Sequence, residues 1–168
     1  MIQGMVAGTM LSETPAAAAD SNLVELSATA AVAAIRNGDI KAEDYARALL
    51  DRARRLTSLN AFRTLDREMV PEAARNADKR RTSGAQLGVL HGLPMPVKDS
   101  VNTKVLPTSN GTRALANFKP REDAAVLKPL FSQGAILMGK TNTNCRSERP
   151  ATRPVGHGSG DTGARIIA

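Results

Sequence analysis

The chain has 168 residues, 42% of them hydrophobic and 23% charged, which is the make-up of a globular domain of ordinary size. Aromatic residues are only 2%, with no Trp, so any core must be aliphatic and rich in alanine. No apolar run is long enough to span a bilayer, and the single Cys145 excludes an internal disulfide and fits a reducing, cytoplasmic setting.

Residues 1–22 lack a basic start and carry polar interruptions, and they read as a flexible leader. Ser27 then offers an N-cap to "ATAAVAAIRN", with Ala28, Ala31, Val32 and Ile35 on one face and Gly38 as a stop. "KAEDYARALLDRARRLTSLN" predicts a second helix, with Tyr45, Leu49, Ala53 and Leu56 at helical spacing and Glu43 and Asp44 in its first turn. "AFRTL", Ala61 to Leu65, reads as a short strand. A third helix is predicted from Pro71, at its first position, to just before Gly84. The net charge of +7 resides largely in "RALLDRARR" and "RNADKRR", both on helices and mixed with acids. These read as solvated helix faces, and with so few aromatics no nucleic-acid partner is expected.

After Gly84 the texture changes. "GVLHGLPMPVKDS" reads as a strand between loops, "TKVLPTSNGT" is turn-rich with Asn110-Gly111 at a turn centre, and Asp123 is placed to cap "DAAVLKPLFSQG" as far as Gly134. Pro129 sits inside that last pattern, where a helix interior would lose about 3 kcal/mol. "AILMGK", Ala135 to Lys140, is a buried-strand candidate. Strand, loop, helix, Gly, strand is the order of a βαβ unit, so the fold class is α/β, with N-terminal helices followed by part of a mixed or parallel sheet flanked by helices. Residues 23–143 form this domain. From Asn144 to Ala168 there are four Arg, no Lys, four Gly and two Pro with no periodicity, and this segment reads as a divergent, disordered tail.

Lys98 closes the apolar run "LPMPV". A plain reading has it snorkel from a strand end to water. If Val97, Lys98 and Asp99 are extended, Lys98 and Asp99 point to opposite faces, and Asp99 need not hold the amine protonated. His91, Cys145 and His157 share no short ligand spacing, so no metal is expected, and nothing in the sequence calls for a cofactor.

"LHGLPMPVKDSVNTK", "TSNGTRAL" and "GAILMGKTNTN", in this order and spacing, resemble the amidase signature family, and "ELSATAAVAAIRNGDIKAEDYARALLDRARRLTSLNAF" resembles its usual opening helices. Within the family the "PVKDSVNTKVLPTSNGTRAL" stretch looks closest to bacterial indoleacetamide and mandelamide hydrolases. The resemblance implies hydrolysis of a carboxamide C–N bond by a Lys-Ser-Ser triad on a small amide substrate, with Lys98 as the catalytic lysine. Such a lysine must be neutral to act as a base, and burial would favour that state. The family's Gly-Gly-Ser-Ser-Gly-Gly-like run is absent from the sequence. "GHGSGDTG" holds Ser159, but it arrives early and no second serine follows it. The expectation is therefore an inactive truncated or frameshifted fragment in which the family pattern is lost near Asn144. Two rival readings are the ammonia-releasing amidase component of a tRNA amidotransferase and a non-enzymatic basic nucleic-acid-binding module. Limited proteolysis checks the boundary: residues from Arg146 onward should be cut first, and protection of that segment from hydrogen exchange would contradict it.

Overall fold

Ser27 accepts a hydrogen bond from the Ala30 N–H and starts α1 (Ala28–Asn37), which Gly38 ends in the left-handed region at φ 88°. This computed structural model describes residues 22–143; residues 1–21, read above as a leader, and the segment from residue 144 lie outside it. Of the predicted face, Ala31, Val32 and Ile35 are buried in α1, while Ala28 in its first turn is exposed. In α2 (Ala42–Arg55) the buried residues are Ala42, Tyr45, Ala46, Ala48 and Leu50. The predicted stripe is rotated: Leu49 and Ala53 are only partly buried, and Leu56, just beyond the helix, is exposed. Lys41 cannot cap α2, and the Asp78 carboxylate does so from the neighbouring helix, accepting from the Ala42 N–H at 2.9 Å and the Glu43 N–H at 3.1 Å.

That neighbour, α3 (Met69–Thr82), begins two residues before Pro71. Asp66 accepts from the Glu68 and Met69 N–H groups and fixes the start. Pro71 then falls in the first turn, where its missing N–H has no intrahelical acceptor to lose. The same rule corrects the reading of Pro129. The helix expected from Asp123 is only α4 (Leu127–Ser132), and Pro129 is its third residue. Asp123 instead accepts from the Lys104 N–H at 2.8 Å, so the loop takes the carboxylate that the helix was expected to use.

Three strands form one mixed sheet in the order β1 (Phe62–Leu65), β3 (Ile136–Thr141), β2 (Pro94–Lys98). β1 is antiparallel to β3 and β2 is parallel to it, so β2, α4 and β3 make the expected βαβ unit. β3 is buried on both sides. Ile136 and Met138 pack with Ile35, Tyr45, Val70 and Ala74 of the helices, while Leu137 packs with Val97, Leu106 and Leu127 on the opposite face.

The register of β3 is not continuous. Met95 pairs with Leu137 but Pro96 pairs with Gly139, so Met138 is an extra residue. Such a bulge reverses the in–out alternation beyond it. Lys140 is therefore carried to the face of Val97 and Leu137, away from the helices. Gly139 is required at this point, because a Cβ there would come within 2.6 Å of the Thr64 carbonyl oxygen. β1 carries its own irregularity, in which Phe62 pairs with Thr141 and Thr64 with Lys140, leaving Arg63 as the extra residue.

β2 is one of the sheet's two edges among the described residues. The Leu93 carbonyl accepts from the Ile136 N–H and the Asp99 N–H donates to the Thr141 carbonyl, so the odd-numbered residues face β3. Pro94 and Pro96 turn their nitrogens, which carry no hydrogen, toward the open side. Gly139→Ala should lower unfolding free energy by about 2–3 kcal/mol in urea denaturation, and an unchanged midpoint would show that the bulge relaxes freely.

Candidate active site

Lys98 is the last residue of β2, and its side chain is exposed. Its backbone is held on both sides of the peptide chain: the Val101 N–H donates to its carbonyl at 2.9 Å, and the next residue's N–H reaches Thr141 at 3.0 Å. No described residue buries the amine in the way the base reading anticipated. Lys98 lines neither the 790 Å³ groove between α2 and β2 nor the 450 Å³ groove beside His91.

Asp99 is 1% exposed while Lys98 is exposed, so the two do separate to opposite sides as the strand periodicity predicts. Its carboxylate accepts from the Ser109 hydroxyl, from the Ser109 N–H at 3.1 Å and from the Gly111 N–H at 3.1 Å. The Arg63 guanidinium lies 3.7 Å away. Asn110 and Gly111 both have positive φ, at 50° and 73°, and form the expected turn, closed by the Thr112 N–H on the Ser109 carbonyl. Burial by itself pushes the Asp99 carboxyl upward. The Ser109 hydroxyl, the two backbone N–H groups and the charge of Lys140 outweigh it and hold the group below the usual aspartate value.

The buried lysine of the structure is Lys140, which is fully enclosed. Its ammonium donates to the Val101 carbonyl at 2.6 Å, the Thr108 hydroxyl at 2.8 Å and the Thr103 hydroxyl at 3.4 Å. Burial lowers its affinity for the proton, and the negative charge of Asp99 opposes that shift. Sequence reasoning misses Lys140, Ser109 and Arg63. The available signal is a lysine ending the apolar run "AILMG".

His91 is buried, with Nε2 3.1 Å from the Ala77 carbonyl. Burial chiefly disfavours its charged form. It joins the strand's approach to α3 and has no catalytic partner in the geometry above. Cys145, His157 and Ser159 lie outside the described residues. Among the described residues no group of three or more His, Cys, Asp or Glu could hold a metal, and no helix is long and apolar enough to cross a membrane.

The arrangement is thus a lysine at a parallel strand's end, followed by a loop anchored on a buried acid and a buried base. A family model described as amidase matches residues 44–153, well over half of the chain. The chain belongs to the amidase family. It is 41% identical over 123 residues to the A subunit of a glutamyl-tRNA(Gln) amidotransferase from Chloroflexus aurantiacus, covering 73% of this chain and 25% of that protein. Its identity to an indoleacetamide hydrolase from Bradyrhizobium diazoefficiens is also 41%, over 119 residues, covering 70% of the chain and 22% of the hydrolase. The native peptide amidase of Stenotrophomonas maltophilia superposes with a TM-score of 0.65 at 31% identity, covering 70% of this chain and 25% of that one. The chain spans about a quarter of the length of these relatives.

The lowered Asp99 value gives a pH test with a defined sign. A depressed carboxylate contributes stability that is present above the ordinary value of 3.8 and is lost as pH falls through its lower folded value. Asp99→Asn should therefore lower stability near neutrality and flatten the acid limb of urea midpoints measured against pH. An acid limb identical to the parent's would show that Asp99 gains nothing from its partners.

Proposed function

We propose that residues 22–143 form the lysine-bearing part of an amide-hydrolysing site, in which Lys98 is the final acceptor of the nucleophile's proton. The supporting observation is the division of labour at the end of β2: Asp99 is committed to Ser109, Gly111 and Arg63, while the adjacent Lys98 amine stands exposed at the strand end. In this reading one serine hydroxyl attacks the amide carbonyl and passes its proton through a second serine to Lys98. Backbone N–H groups hold the oxyanion. The C–N bond then breaks, ammonia or an amine leaves with the proton, and water releases the acid from the acyl-serine. Both serines, and the groups that would bury Lys98, come from outside residues 22–143. The reaction is placed in the cytoplasm, on a small carboxamide of the indoleacetamide type.

The match to an amidotransferase component supports a second reading, in which the same lysine serves the release of ammonia within an amidotransferase. The lysine segment is common to both, and the substrate-binding remainder would separate them.

The 168 residues alone should turn over no simple amide and should not be labelled by a serine-reactive fluorophosphonate, because such triads act as one unit. Joining residues 1–142 to the downstream part of the Bradyrhizobium hydrolase should give a chimera active on indoleacetamide. Lys98→Ala should lower its kcat by about 10³-fold or more. Turnover by the unextended chain that is lost in Ser159→Ala would overturn this reading and make Ser159 the nucleophile.

A further inference from the structure

We infer that Lys140 is a positioning residue for Lys98, acting through the loop that leaves β2. The inference rests on the reading of Lys98 given above, but its geometry does not. The two residues are 42 apart in sequence, yet β2 and β3 place Val97, the residue before Lys98, beside Lys140 in register. The main chain of Val101 links them. Its carbonyl takes the shortest of the three Lys140 bonds at 2.6 Å, and its N–H donates to the Lys98 carbonyl at 2.9 Å. Lys140 is thus linked to the Lys98 backbone through the main chain of one residue, Val101, whose N–H and carbonyl belong to two consecutive peptide units.

The other two acceptors tie down the rest of the loop. The Thr103 hydroxyl donates to the Leu106 carbonyl at 3.1 Å and the Thr108 hydroxyl toward the Val101 carbonyl at 3.5 Å. Their remaining oxygen lone pairs are the ones turned to the ammonium. Three N–H donors meet three acceptors, so the buried amine is satisfied. Asp99 does the same at the far end by holding Ser109 and Gly111. A hydrocarbon side chain of similar length could fill the space of Lys140 but would leave the Val101 carbonyl and both hydroxyls short of a donor. The loop would then be packed but no longer fixed in direction, and Lys98 sits at its root.

The test has two arms. In the 168-residue chain, amide hydrogen exchange is followed by NMR for Lys140→Met, for the milder Thr108→Val, and for Lys128→Met, whose parent lysine is exposed. Expected is exchange about tenfold or more faster at Asp99, Val101 and Gly111 in the first two, with the Ala46 amide of α2 and the Lys128→Met chain unchanged. An equal loss at Ala46 would reduce Lys140 to a general contributor to stability and overturn the inference, as would unchanged exchange at Val101 or a parent chain with no protection there. In the amide-hydrolysing chimera, Lys140→Met should lower kcat per fluorophosphonate-titrated site by about 10²-fold with KM little changed. A kcat per titrated site equal to the parent's overturns the role at the site. If the chimera ignores Lys98→Ala while the exchange pattern appears as expected, the hydrolytic reading has failed and the Lys140 clamp on the Lys98 backbone has not.

Discussion

One extra residue in β3 governs the loop side of the sheet. Without the bulge at Met138 and Gly139, strict alternation would put Lys140 on the face of Ile136 and Met138, among Ile35, Tyr45 and Val70, with no polar partner. A lysine there would face an uncompensated desolvation penalty. With the bulge, the same residue reaches a carbonyl and two hydroxyls. The Gly-Lys pair is therefore a single structural device: the glycine permits the close approach to Thr64, and the displaced register delivers the ammonium to the loop.

The second bulge complements the first from the other side of β3. Displacing Arg63 from the β1 register brings its guanidinium to Asp99, which already carries three hydrogen bonds from the Ser109–Gly111 turn. The loop after Lys98 thus ends on two buried groups of opposite charge, each supported by hydrogen bonds as well as by the other's field. Buried charges are tolerated on those terms and not otherwise. This polar framework sits on a small aliphatic core in which alanines let the helices approach one another and β3 closely.

Much of this is legible in the sequence where the determinants are local. Ser27 and Gly38 mark the ends of α1 because capping chemistry acts within a few residues. The Asn110-Gly111 turn and the βαβ order follow from turn propensities and from apolar runs of strand length. The helix starts near Pro71 and Pro129 are displaced because Asp66 and Asp123 take backbone partners that no propensity reveals. The bulges are invisible for a related reason: register is a property of two strands, and a sequence presents each strand alone. That is why the sequence draws attention to Lys98 as the lysine to be buried, when among the described residues Lys140 is the enclosed one. The role proposed for Lys98 rests on the family resemblance, and no spacing rule could assign it.

The open side of β2 has a consequence for how more chain could be accommodated there. A neighbouring strand normally joins by exchanging donors and acceptors in both directions. Along this border Pro94 and Pro96 offer carbonyls alone, and the Lys98 carbonyl is already taken by Val101. Chance zippering of one molecule onto another along β2 is thereby disfavoured. A segment that does settle on this flank must instead be held by its side chains, and an apolar trough lined by Tyr45, Leu49, Leu93 and Met95 lies beside it to receive them. The two prolines thus make the border selective for side-chain packing over backbone pairing.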